Sequence, residues 1–298
     1  MSDIIHTPIM VKEIIDHLPE SATLYVDGTA GHGGHIAAIA ASGKLATHAD
    51  IIAVDRDAIM LQKCRQQTVE AAKTYNLSYV QESYAKMLSL LPKPADFILL
   101  DIGVNMEHFK DGQRGFSIHE DAPLDMRFDT RSGETAADLL NTGNKETLVG
   151  AFMKYGDFSE KSATFFYERI IEKRKEKPFV TTSGFVDFLY SIGVRKNQLP
   201  VLFQCLRIVV NQELDQLENF LRDMPKCLAV GGRCAIMTFH STEDRIVKYA
   251  FKELADNGSS DGKKFTLVNK KVIAPHYTEA QRNRAARSAK LRFIERVE

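Results

Sequence analysis

No apolar run in this 298-residue sequence approaches the roughly 18 residues that a membrane-spanning helix needs, so no bilayer span is expected. Residues 1–11 are mixed and contain Asp3, which fits neither a secretory signal nor an arginine-rich transit peptide; the expected location is cytoplasmic. Cysteine is scarce. Cys64, Cys205, Cys227 and Cys234 lack the pair spacing of a metal site or a disulfide framework, so buried, reduced thiols are expected. Net charge is missing as well: 39 basic side chains meet 39 acidic ones, which argues against a general polyanion binder. There is no internal repeat and no low-complexity tract.

What is present is a clear alternation. Strand-like apolar runs at 23–26, 51–54, 77–81 and 96–100 are separated by helix-like stretches at 36–42, 58–75 and 85–90. Such a rhythm predicts a parallel sheet with right-handed crossovers, whose ligands gather at the carboxyl ends of the strands. After Asp101 the rhythm breaks. Residues 103–133 read as a long ordered loop, and helix-like stretches follow at 136–141, 145–154, 159–175 and 182–191. The alternation resumes with one amphipathic helix over 201–224, a strand over 233–239 and a helix over 242–254, with Ser241 or Thr242 as its N-cap. Residues 265–273 and 290–296 alternate apolar and polar and predict an antiparallel pair at the sheet edge. The expected fold class is α/β, a mostly parallel sheet with an antiparallel edge strand and an inserted all-α domain. Residues 1–111 and 201–298 form the first domain, and 112–200 the insertion.

The densest signal lies at Leu24-Tyr25-Val26-Asp27, which runs into a loop with glycines at 28, 31, 33 and 34 and then an Ala/Ile-rich helix. The next strand ends on Asp55, 21 positions beyond Gly34. That is the layout of a nucleotide-type cofactor site, with the acid placed to accept hydrogen bonds from ribose hydroxyls. The G-x-G-x-x-G spacing fails, and no Gly-Lys-Ser/Thr follows, so neither a dinucleotide fingerprint nor a P-loop is present. Asp27, just ahead of the loop, suits a cationic or zwitterionic ligand better than a pyrophosphate. S-adenosylmethionine carries an ammonium and a sulfonium but no phosphate, and is favoured over NAD. A purely structural turn remains the alternative for the glycines alone. His32 and His35 lack a third ligand, so no metal is expected. Asp101, closing the fourth strand, is either a catalytic acid or a structural one. From Lys263 to Val297, ten Lys/Arg stand against two Glu, which makes either a phosphate-contacting stripe or a solvated basic tail.

In this order and spacing the chain resembles the MraW/RsmH family, S-adenosylmethionine-dependent methyltransferases acting on the N4 of a cytidine in the decoding region of 16S (small-subunit) ribosomal RNA. The resemblance rests on Val26-Asp27-Gly28-Thr29 with Gly33-Gly34-His35, on Asp55-Arg56-Asp57, and on Leu100-Asp101-Ile102-Gly103-Val104. It continues through Arg114-Gly115-Phe116-Ser117, Pro123-Leu124-Asp125-Met126-Arg127, Lys154-Tyr155-Gly156 and Val210-Asn211-Gln212-Glu213-Leu214. It closes on Phe239-His240-Ser241 with Glu243-Asp244-Arg245, and Arg287-Ser288-Ala289-Lys290-Leu291-Arg292. The resemblance implies a Rossmann-like class I methyltransferase fold, with the insertion serving RNA recognition. It implies cofactor contacts from Gly33, Gly34, His35, Asp55, Tyr84, Asp101 and His108, beside Asp27 from the reasoning above. The implied partner is 16S rRNA or the small ribosomal subunit, with neither membrane nor DNA; the oligomeric state, homodimer included, stays open. Two departures stand out: Tyr84 replaces a common Phe, and Asn105-Met106-Glu107-His108 replaces Ser-Ser-Pro-Gln.

An exocyclic cytosine amine is a poor nucleophile, so its methylation needs in-line placement and an acceptor for its hydrogens. Asp101 and the backbone of 103–105 are the expected acceptors, with Asn105 as an amide partner and His240 facing the target base. A satisfied strand-end histidine is the alternative for His240. Arg114, Arg127, Arg131 and the basic stripe are the expected phosphate contacts. The rival readings are an NAD-dependent dehydrogenase, an RNA-binding assembly factor without catalysis, and a nuclease built on Asp121, Asp125 and Asp129.

Overall fold

Alternating burial sets the two faces of a seven-stranded sheet. In the computed structural model, which describes residues 8–103, 108, 109 and 112–298, strand β1 (Ala22–Asp27) turns Leu24 and Val26 to one face and Tyr25 to the other. The remaining strands are β2 (Leu45–Asp55), β3 (Asn76–Gln81), β4 (Ala95–Asp101), β5 (Leu228–Thr238), β6 (Phe265–Leu267) and β7 (Lys290–Arg296). Their order is β3-β2-β1-β4-β5-β7-β6. The first five run parallel, and β7 lies antiparallel to both β5 and β6. Strand β1 is flanked by β2 and β4, and Asp27 is level with Ala53 and Leu99. This is the switch point of a doubly wound sheet, where such folds bind ligands.

Helices α1 (Val11–Asp16), α2 (Gly34–Ala41) and α3 (Ala58–Gln67) bury Ile14, Ile36, Ile39 and Leu61 against Tyr25, Phe97 and Phe293. The other face takes Met87 from α4 (Tyr84–Met87) over Val26, Leu100 and Ile236. Contacts divide the chain into two compact units, Met1–Gly103 with Asp215–Glu298, and Val104–Leu214. The second unit holds α5 (Ala136–Thr142), α6 (Lys145–Gly156), α7 (Glu160–Glu176), α8 (Thr182–Ser191) and α9 (Leu199–Asn211). Phe152, Phe185, Leu202 and Leu206 centre its own core.

The insertion is therefore longer than the 112–200 expected from sequence. The run 201–224 is not one helix: Gln212 adopts the left-handed conformation (φ 51°), ending α9, and α10 (Glu213–Asp223) starts afresh. Asn211 explains the break. Its buried side chain accepts from Phe128 N–H (2.8 Å) and donates to the Met126 carbonyl (2.7 Å), tying the helix end to the preceding loop. Helix α3 also stops early, at Gln67 rather than near residue 75. Thr68 turns its hydroxyl back to the Cys64 carbonyl (2.8 Å) and meets the Tyr79 hydroxyl at 2.6 Å, so its side chain competes with continued helix.

Strand β6 covers only the start of the expected 265–273. The Asn269 side chain accepts Phe293 N–H (2.7 Å) in place of a backbone partner, and pairing returns as a single bridge between Ile273 and Leu291. Helix α11 (Ser241–Asn257) and α12 (Tyr277–Arg282) complete the first unit. Cys64, Cys205 and Cys234 are buried, Cys227 is half-buried, and burial raises all four thiols. Among the described residues no helix is long and apolar enough to cross a membrane.

Candidate active site

Strands β1, β2 and β4 each end on an acid: Asp27, Asp55 and Asp101. Asp27 is fully buried, and its two oxygens accept from the Tyr25 hydroxyl (2.9 Å) and Thr29 N–H (3.1 Å). Burial raises its carboxyl to about 6, while the field of His35 and these two hydrogen bonds pull the other way.

The glycine loop is stitched to β2. Ala30 N–H donates to the Val54 carbonyl (2.8 Å), and Gly31 N–H donates to Asp55 Oδ2 (2.9 Å). The other Asp55 oxygen accepts Asp57 N–H (2.9 Å), and Asp57 in turn caps α3 through Ile59 N–H (2.8 Å). Gly33 caps α2 at φ 81°, and a methyl group on it would lie 2.8 Å from Thr68 Cγ2 and 2.9 Å from Cys64 Sγ. The missing side chain at Gly34 is likewise met by the ring of Pro8 (3.1 Å). These two glycines thus permit close packing of loop on protein, in addition to the approach of a ligand expected from sequence.

Asp101 closes β4 beside Met237, and its N–H donates to Thr29 Oγ1 (2.6 Å). Its Oδ2 stands 3.6 Å from His35 Nε2. Asp101 Oδ1 and both ring nitrogens of His35 are buried without a hydrogen-bond partner. A buried polar atom left unpaired costs about 1–3 kcal/mol, so three of them side by side mark a place built for a polar ligand. Two carboxylates and an imidazole suit a cationic ligand, and a phosphate would meet repulsion there.

The structure thus gathers Asp27, Gly33, Gly34, His35, Asp55 and Asp101 at adjoining strand ends. Tyr84 opens α4, with its buried ring edge-on to Phe220 at 5.8 Å. His240 is the N-cap of α11, displacing Ser241 and Thr242 from that role. Its Nδ1 accepts Thr242 N–H (3.3 Å), and Glu243 accepts the N–H groups of Phe239 and His240 (both 3.1 Å). His108 belongs to the helical unit, where its buried ring lies 5.2 Å from Phe116 and 4.9 Å from Phe128. Asn105 lies outside the described residues.

The structure gives roles to three residues that sequence leaves without them: Tyr25 and Thr29 at the site, and Glu243 as a partner in the cap. Tyr25 looks like any core aromatic, although its position two residues before Asp27 places both on one face of β1. Thr29 bonds both Asp27 and Asp101, a role that only tertiary pairing reveals. Glu243, three residues after the cap, carried the capping-box signal. Elsewhere, Arg127 makes a two-pronged pair with Asp125 (2.7 and 2.8 Å), and Arg131 does the same with Asp129 (2.9 and 2.7 Å). Those acids therefore hold arginines, and among the described residues no three His, Cys, Asp or Glu side chains are grouped to bind a metal.

The chain is similar to known proteins along nearly its whole length. Residues 3–297 match the model of the MraW methylase family. Ribosomal RNA small subunit methyltransferase H of Elusimicrobium minutum (strain Pei191) is 38% identical, with each chain covered completely. The protein of the same name from Dictyoglomus turgidum is 37% identical over 99% of both chains. The Leptospira biflexa protein of that name is 34% identical over 98% of this chain and 95% of its own.

Proposed function

The chain belongs to the MraW methylase family, and on that premise we propose that it methylates the exocyclic N4 amine of a cytidine in the decoding region of 16S ribosomal RNA, in the cytoplasm, with S-adenosylmethionine as donor. The observation that carries this reading is the cluster of Asp27, His35 and Asp101 with its unpaired buried atoms, at the switch point of a doubly wound sheet. The residues fit the donor in chemistry: carboxylates would favour a cationic molecule, and it carries no phosphate for them to repel. S-adenosylmethionine supplies an activated methyl group on sulfur.

The chain's residues do the rest. Asp55 would accept from the ribose hydroxyls, while the N–H groups of Gly31 and Asp57 on its carboxylate keep the loop in register. Asp27 balances positive charge from below the loop. Asp101 would offer Oδ1 to an N–H of the attacking amine, drawing density onto nitrogen; as the methyl passes from sulfur to nitrogen the donor departs as a neutral thioether, and the cationic nitrogen then gives its surplus proton to water, so no strong base is needed. Mass-spectrometric nucleoside analysis of small-subunit RNA from cells with and without the gene tests the reading. N4-methylcytidine should disappear with the protein, and its persistence at full level would refute the assignment.

Proton linkage gives a second check. Above about pH 6 Asp27 is ionised and favours a cationic donor; as pH falls through about 6 it takes up a proton and that attraction is lost. Donor affinity, followed by calorimetry, should decline below pH 6 by at most about tenfold per pH unit from this group. Asp27→Asn should bind weakly at every pH, with a flatter profile. Asp27 does not itself loosen the fold over this range: a carboxyl raised from 3.8 to about 6 adds stability to the ligand-free protein as pH drops between those values.

A further inference from the structure

The structure splits the C-terminal basic stripe into two halves with different duties. One half is tied down. Lys263 and Lys264 pair with Asp261 (2.6 Å) and Glu298 (2.7 Å), and Lys290 and Arg292 share Asp244 (3.2 and 2.8 Å). Arg296 donates to the Leu228 carbonyl (2.7 Å). The Asp244 pairs tie β7 to α11, and Arg296 ties β7 to the start of β5.

In the other half, 270–287, the described cations face solvent. Lys270, Lys271, Arg282 and Arg287 are exposed and take no part in an ion pair among the described residues. Its one acid, Glu279, is turned inward, where Oε1 accepts Met10 N–H (2.9 Å). At the first position of α12 stands Tyr277, 72% exposed. The segment is anchored along its length: Ile273 bridges to Leu291, and Ala286 and Ala289 are buried in the same core layer as α1 and α2. It also adjoins the cofactor loop. Glu279 holds Met10, two residues on from Pro8, and the Pro8 ring packs on Gly34.

We propose that 270–287 is a track for single-stranded RNA, with Lys270, Lys271 and Arg282 on its phosphates and Tyr277 stacked on a base. The proposal rests on the RNA-methylating reading and adds the surface that leads the strand toward the loop. Cations spaced along a fixed segment meet successive phosphates, and a flat exposed ring accepts any base face. A loose tail would lose these contacts to chain entropy; anchoring at both ends and at Glu279 removes that penalty.

Anisotropy with a short, labelled, unstructured RNA tests the track without any need for methyl transfer. Lys270→Ala/Lys271→Ala/Arg282→Ala should weaken binding about tenfold or more at low salt and make the salt slope shallower by about 2, from three contacts at about 0.7 each. Tyr277→Ala should weaken it about fivefold or more, and Tyr277→Phe should restore it. S-adenosylmethionine affinity should be unchanged in all of them, which certifies the fold beside the loop. Wild-type RNA affinity and slope in the triple variant would overturn the proposal and hand the surface to an acidic protein partner. Failure of the wild type to methylate RNA would sink the functional reading alone, because binding is measured separately.

Discussion

Asp101→Ala is expected to reduce single-turnover methyl transfer by about 10²–10³-fold at saturating donor, the scale for losing one preorganised group that acts on developing charge. The side chain is free to act because the sheet does not need it. Its backbone keeps the β4–β5 register and the N–H bond to Thr29 whatever stands at the position, while Oδ1 is buried with no protein partner. Thermal unfolding should therefore shift little. Removing the carboxylate even relieves the unpaired atom, though it leaves His35 Nε2 without the neighbour 3.6 Å away. Asp101→Asn separates charge from shape. It retains an acceptor oxygen, so a rate between wild type and alanine assigns part of the effect to hydrogen bonding and part to negative charge. A wild-type rate in Asp101→Ala would remove this residue from the chemistry.

The place of Asp101 at the end of β4 is legible in the sequence. An apolar run that stops on an acid is visible without a structure, because burial of a strand forces its pattern and the strand end forces the change. The same logic exposed Asp27 and Asp55, and the alternation around them made the parallel sheet legible. Tertiary overrides were not legible. Gln212 is a good helix former, and nothing local announces that Asn211 will bond residues 126 and 128 and turn the chain. Asn269 hides in an alternating run until its side chain takes a strand's hydrogen bond. From sequence His240 reads as a base-facing group or a satisfied strand-end histidine, with the cap at Ser241 or Thr242; Thr242 N–H on its Nδ1 gives the capping role to His240 itself. The glycines show the same limit from the other side. Their spacing announces close approach, but only coordinates tell what approaches.

Gly33→Ala follows from that last point and should lower S-adenosylmethionine affinity by at least about a hundredfold. Two penalties combine. The left-handed backbone at φ 81° costs a non-glycine residue about 1–2 kcal/mol. The new methyl would also sit 2.8 Å from Thr68 Cγ2, 2.9 Å from Cys64 Sγ and 3.3 Å from the Cys64 carbonyl, and a carbonyl within α3 cannot swing aside. Relief must come from the loop, which then leaves α3. Gly33 N–H bonds the Ala30 carbonyl (2.7 Å), and the adjoining Gly31 N–H bonds Asp55, so the movement dislocates both the Asp55 carboxylate and the start of α2 that carries His35. Gly43→Ala is the control. Its φ of 72° exacts a similar backbone penalty, yet nothing lies within 4 Å of the added carbon, so stability should fall modestly while donor affinity is kept. Adding Cys64→Ala and Thr68→Ser to Gly33→Ala opens the space the methyl needs and should recover part of the affinity. Calorimetric titration of the three proteins decides the matter: equal donor binding by Gly33→Ala and Gly43→Ala would show that steric packing on α3 does not hold the loop in its binding form.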